Sequence, residues 1–214
     1  MDGNPVPRRP QGVAPTVYVA IAIESMKVNE KQKMETSETI IGEITDTAEF
    51  ANIAKIIRTS FRTVADEFGL NRKNAPAHPS FTTVRWLKDR KSSDAKFFGL
   101  FLVPRGPHRL GKKQIGFVIV EKENDDTYWI EKLVVLPEYR HGGSGEKLVG
   151  FAIDYIREQG GKKVALSMMN EHTVLKTWYK KLGFKEVSTR SYPHLPFTVC
   201  MMERDIRPLG KSKF

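Results

Sequence analysis

One cysteine, Cys200, is the whole thiol content of this 214-residue chain. It excludes an intramolecular disulfide and any zinc site built on cysteines, and it is what a reducing compartment permits. Inside a strand-like run it reads as a small buried apolar residue rather than a nucleophile. Histidine offers no more: His78, His108 and His194 lie in loops with no ligand spacing between them, so no metal site is expected. Long apolar runs are missing as well. The patch over residues 17–23, behind Arg8 and Arg9, falls far short of the roughly 20 residues that a membrane-spanning helix needs. It also has no clear small-residue cleavage site after it. Acidic residues are outnumbered, 25 against 35 Lys plus Arg, which gives a formal net charge of +10. That balance favours a polyanionic partner, whether a phosphorylated cofactor, nucleic acid or an acidic surface, without choosing among them.

The length suits one domain of ordinary size with appendages. Residues 1–37 read as a flexible extension, because Pro5, Pro7, Pro10 and Pro15 exclude a regular element and the following polar stretch has no periodicity. An extra strand, a disordered tail, or translation starting upstream of Met26 or Met34 would each explain its apolar patch without a targeting role. The domain proper is expected over residues 38–206, followed by a basic tail over 207–214. Its pattern is that of an α/β unit. A strand over 39–45 leads to a helix capped by Thr45 or Asp46, with Phe50, Ile53, Ala54, Ile57 and Phe61 on one face. A second helix is expected within 81–91, its Arg85, Trp86, Lys88 and Arg90 on a solvated face. Strands over 96–103 and 114–121 then run through the Asn124-Asp125-Asp126 turn into a central strand, an antiparallel meander. Beyond the central helix come a strand over 164–168, a short helix over 173–182 closed by Gly183, and strands over 184–189 and 197–203. Met168, Met169, Met201 and Met202 read as strand core.

Residues 129–159 organise the rest. An apolar strand with Ile130, Leu133, Val134 and Val135 stops at Pro137 and meets the turn Arg140-His141-Gly142-Gly143-Ser144-Gly145. An amphipathic helix follows at once, carrying Leu148, Val149, Ala152, Tyr155 and Ile156 at helical spacing. Glycines let the backbone come close to a ligand, and the first amides of a helix lack partners at the positive end of its dipole. The pattern therefore predicts an anion seat. A dinucleotide fingerprint would need a third glycine where Leu148 stands, and a Walker loop would need Gly-Lys-Ser or Gly-Lys-Thr where Gly145 is followed by Glu146. Both fail.

What remains, Arg140-x-x-Gly143-x-Gly145, is similar to the coenzyme A signature of the GNAT acetyltransferases. Tyr179-Lys180-Lys181-Leu182-Gly183-Phe184 resembles the signature that family carries downstream, at the separation it shows. Ile130-Glu131-x-Leu133-x-Val135-x-Pro137-Glu138-Tyr139-Arg140 looks like the strand leading into its loop, and the likeness spans about residues 38–204. It implies an α/β GNAT fold: a mixed, mostly antiparallel central sheet with a V-shaped splay between the central strands, flanked by helices, with acyl-coenzyme A in the V.

On matching residues, the resemblance implies that the main chain of Leu133, Val134 and Val135 pairs with the pantetheine amides like an added strand. Amides of His141, Gly142, Gly143, Ser144, Gly145 and Glu146 would hold the pyrophosphate, with Arg140 as the charged partner. Tyr179 stands where the family places the phenol that protonates the departing sulfur. Glu131 is the candidate base: a carboxylate in an apolar strand, two residues before Leu133 and so expected on the same face, toward the cleft. Two departures from the family pattern stand out. Asn170 lies about two residues farther from Tyr179 than the usual cofactor-bonding Asn, leaving His172 closer to that place, and Gly142 removes one possible phosphate cation. The expected function is acetyl transfer from acetyl-CoA, as co-substrate and without a metal, to a primary amine in one ternary complex. Because Glu131 is acidic, an amine-bearing small molecule is the first choice of acceptor and a peptide or protein amine the second. A non-catalytic coenzyme A-binding module is the alternative of a different class. The expected setting is cytoplasmic, with no membrane or nucleic-acid partner and with room for a homodimer.

Overall fold

Strand β1 (Ser37–Glu43) opens the described part of the chain, which in this computed structural model comprises residues 37–91, 95–105 and 111–207. The expected extension and tail lie outside it, apart from Ser37 and Arg207. Asp46 accepts a hydrogen bond from the Ala48 amide at 2.8 Å and starts a 3-10 turn, Thr47–Glu49, that runs into helix α1 (Phe50–Glu67). Phe50, Ile53, Ala54 and Ile57 of α1 are fully buried, the stripe that its 3.6-residue period foretells. A second 3-10 turn, Pro79–Phe81, comes before α2 (Val84–Lys91). That helix lies within the expected 81–91; Pro79 is spent on the turn before it, and the Thr83 hydroxyl caps the helix, accepting from the Trp86 amide at 3.1 Å.

Strands β2 (Lys96–Pro104), β3 (Lys113–Lys122) and β4 (Thr127–Val135) form the meander, all antiparallel. Asn124 turns β3 into β4 by accepting from the amides of Asp126 and Thr127. After the 3-10 turn Pro137–Tyr139 come α3 (Ser144–Glu158), β5 (Lys163–Met169), α4 (Thr173–Lys181), β6 (Lys185–Ser191) and β7 (Thr198–Asp205). Gly183, at φ +83°, ends α4 in the left-handed conformation that glycine adopts without steric cost. The sheet has seven strands in the order β1-β2-β3-β4-β5-β7-β6, and only β4 and β5 run parallel. It is thus mixed and mostly antiparallel, with helices on both faces.

Helices α3 and α4 cover one face over a core that includes Leu148, Ala152, Ile156 and Tyr179. On the other face α1 and α2 pack against Phe97, Phe117, Ile119 and Val134. Each such fully buried large side chain contributes about 2 kcal/mol of apolar transfer.

Two irregularities in β4 matter for function. Its pairing with β5 covers only Thr127 to Trp129 against Lys163 to Ala165, and beyond those three pairs the strands part, as the resemblance implied. The second was not expected. Ile119 pairs with Glu131 and Phe117 with Val134, so two steps of β3 are matched by three of β4. The extra residue is a bulge at Lys132, whose φ is +48°. Glu131 consequently reaches α2, whereas Leu133 packs with the α3 and α4 core. The expectation that the two share a face is corrected: alternation holds only along an unbroken pleat.

Candidate active site

Pro137 halts β4, and the short turn after it is anchored by Tyr139, which is fully buried and whose hydroxyl receives the Lys113 ammonium at 2.6 Å. From that anchor the chain enters the glycine loop, where His141 (φ +63°) and Gly143 (φ +79°) are both left-handed. Lys147 is the first residue of α3 whose amide bonds back along the helix, to the Gly143 carbonyl at 3.0 Å. Among the described residues the amides from His141 to Gly145 find no protein acceptor, while that of Glu146 meets its own carboxylate. A helix N-terminus with a run of unanswered donors is an anion seat by construction. No atom lies within 4 Å of the place a Cβ would take on Gly143, so a ligand can approach closely there. Gly145 is tighter: a Cβ would lie 3.1 Å from Cζ2 of Trp178. That indole donates from Nε1 to Glu146 at 2.6 Å and helps to hold the Glu146 carboxyl below its usual range. Trp178 was not singled out from the sequence. With Thr173, Val174, Thr177 and Lys181 it lines a cleft beside the seat.

Arg140 is held by the protein itself. Its Nε donates to the Val135 carbonyl at 3.0 Å, Nη1 to the Thr63 hydroxyl at 3.1 Å and Nη2 to the Ser60 carbonyl at 2.7 Å. The guanidinium thus ties the base of the loop to α1 and to the end of β4.

Above the loop β4 and β5 diverge, leaving the β5-facing edge of β4 without a strand partner from Ile130 onward. Val134 and Val135 are buried and Leu133 is half-buried. Tyr179 lies in the core beneath α4, its ring edge-on to Phe184 at 5.6 Å between centroids. Burial pushes its phenol well above the ordinary tyrosine range, and among the described residues its hydroxyl has no hydrogen-bond partner.

On the opposite face of β4, Arg90 binds both Glu121 and Glu131, the latter at 2.9 Å. Arg90 and Trp86 therefore turn inward from a helix that reads in sequence as solvated, while Arg85 and Lys88 are exposed. Lys132 places Nζ over the Trp86 ring, 4.9 Å from its centroid. His78 caps the Pro79–Phe81 turn through Nδ1, which accepts from the Ser80 amide, and burial helped by the charge of Lys132 lowers its pKa to about 4.

The two candidates for a cofactor-bonding side chain after β5 are otherwise engaged. Asn170 accepts a hydrogen bond from Lys176 through Oδ1, and His172 sits at the start of α4 with its ring 5.6 Å from that of Phe68.

The family model for the GNAT acetyltransferases matches residues 64–184, more than half of the chain, and the chain belongs to that family. It is an acetyltransferase of the N-acyltransferase class. No curated protein matches the sequence. Among solved structures, the ribosomal-protein-S18-alanine N-acetyltransferase of Escherichia coli superposes with a TM-score of 0.59 at 16% identity, over 83% of this chain and 99% of that one. PaiA N-acetyltransferase of Thermoplasma acidophilum, in complex with coenzyme A, gives 0.58 at 17% identity over 78% and 99%. An aminoglycoside 6'-N-acetyltransferase complexed with coenzyme A gives 0.54 at 16% over 79% and 98%. Among the described residues no helix is long and apolar enough to cross a membrane.

Proposed function

We propose that the protein moves the acetyl group of acetyl-CoA to a primary amine of a small molecule by direct attack in a ternary complex. The observation that carries this reading is the parting of β4 from β5 directly above a loop whose amides, His141 to Gly145, are unanswered among the described residues. Diphosphate fits that seat, and the exposed edge of β4 at Leu133 and Val134 fits an amide-bearing arm lying alongside it. Two structural neighbours were solved with coenzyme A, which supports the same ligand here.

Acetyl-CoA supplies an activated acyl group; the chain supplies positioning and proton control. Glu131, oriented by Arg90 at 2.9 Å, accepts a proton from the incoming ammonium so that a neutral amine attacks. As the C–N bond forms and the C–S bond breaks, Tyr179 donates its hydrogen bond to the departing sulfur, and the proton that the acylated nitrogen sheds neutralises the thiolate to give free coenzyme A. The raised pKa of Tyr179 keeps the phenol protonated through the neutral range, so it acts as a fixed donor rather than by losing its proton. Arg140 serves by rigidifying the loop, and the backbone carries the anion contact. The neighbours' names point to acceptors as different as a ribosomal protein alanine and an aminoglycoside, so the acceptor has to be read from this chain's own side chains. The test is release of free thiol from acetyl-CoA in the presence of a panel of amines. Turnover with small amines supports the reading; coenzyme A binding without turnover of small or peptide amines overturns it in favour of a binding module.

A further inference from the structure

Lys132, on the stretch of β4 beyond its last pair with β5, carries an ammonium that finds no oxygen acceptor among the described residues. As the extra residue of the bulge it holds a left-handed backbone (φ +48°), a conformation that costs a non-glycine residue about 1 kcal/mol or more. The groups around its Nζ come from three elements: Glu131 beside it on β4, Arg90 and Trp86 on α2, and His78 from the segment between α1 and α2. Arg90 already binds Glu131 and also Glu121. His78 is neutral above about pH 4. Among the described residues, the two carboxylates and two cations around this point balance in charge. Yet among the described residues Lys132 Nζ has neither a hydrogen bond nor an ion pair, only the face of the Trp86 ring at 4.9 Å. Burial pulls the pKa of Lys132 down, the direction expected of an ammonium short of oxygen acceptors.

We propose that Lys132 binds a carboxylate on the acetyl acceptor, so that the substrate is an amine that also carries an acid group, an amino acid in the broad sense. The inference rests on the acetyltransferase reading above and narrows its substrate class. An acceptor carboxylate would give Nζ the oxygen it lacks and form a charge-assisted hydrogen bond over an apolar ring, where water competes poorly. Polyamines and other polycations are disfavoured at the same place, because the Lys132 ammonium repels a second positive charge there. The bulge makes this possible: it turns Glu131 and Lys132 toward one face, so proton acceptor and carboxylate reader stand side by side.

The test uses the full chain saturated with coenzyme A, titrated calorimetrically with N-acetylated amino acids and with the matching N-acetylated amines that lack the carboxylate. The acids are expected to bind on the order of tenfold to a hundredfold more tightly. Lys132→Gln should abolish the difference and Lys132→Arg keep most of it. In turnover with free amino acids the Gln variant should raise KM by a similar factor while kcat changes little. Equal binding of acids and neutral partners by the wild type, or a preference that survives in Lys132→Gln, overturns the inference and leaves the acetyltransferase reading standing. Failure of coenzyme A itself to bind overturns both.

Discussion

Nη2 of Arg140 lies 2.7 Å from the carbonyl oxygen of Ser60, a residue 80 positions earlier in the chain. With the bonds to Thr63 and Val135 it makes the loop arginine a tie between three elements. Arg140→Ala should lower the unfolding free energy by about 2 kcal/mol, the scale of hydrogen bonds to a charged donor. Arg140→Lys should recover little of it, because an ammonium cannot fork to three separated acceptors. Urea denaturation reads both, and an unchanged midpoint for the Ala variant would remove the tie from the account.

At Gly143 two substitutions separate space from charge. Gly143→Ala meets no atom within 4 Å, so it should cost only the backbone strain of a positive φ, about 1 kcal/mol, seen in thermal melts. Gly143→Asp adds a carboxylate to the anion seat and should weaken acetyl-CoA binding by more than about tenfold by calorimetry, since repulsion and blocked approach act together. Equal affinity of the Asp variant and the wild type would remove the seat from this loop.

Tyr179→Phe should reduce kcat on the order of a hundredfold while leaving acetyl-CoA affinity nearly intact. Because burial raises the phenol's pKa, the protonated form persists, and the wild-type kcat should show no alkaline loss from this group at least to pH 10. A Phe variant as fast as the wild type would show that the phenol only packs.

His78 sets an acid-side prediction. Its folded pKa, about 4, lies below the ordinary value of 6.5, so the unfolded chain binds the extra proton first. The stability linked to neutral His78 is complete above about pH 6.5 and is lost as pH falls toward 4. Protonation also removes the Nδ1 acceptor that caps the Pro79–Phe81 turn. His78→Asn retains a capping oxygen that does not titrate, so its melting temperature should fall less than that of the wild type between pH 6.5 and pH 4.5. Parallel declines in the two proteins would contradict it.

The parts of this molecule that local chemistry dictates could be read in advance. Pro137 stops β4, glycines open the loop, the buried stripes of α1 and α3 follow their 3.6-residue spacing, and Gly183 closes α4. What could not be read depends on contacts between distant residues. A lysine gives no signal that it will take the left-handed backbone of a bulge, so the parity argument for Glu131 and Leu133 had nothing to warn against it. That Arg140 also binds α1 shows only once that helix is brought beside it. Asn170 looks free until Lys176, six residues on, binds its oxygen. Trp178 earns its place only because α4 packs across the start of α3, which no local pattern announces.

The kink in β4 is held by the wrong residue for comfort. Glycine at position 132 would accept φ +48° freely, and a protein evolved or engineered only for hardiness would drift toward it, gaining roughly 1 kcal/mol. The same exchange would delete the side chain that stands over Trp86. At this one position the ease of the backbone and the contact of the side chain with the indole pull in opposite directions.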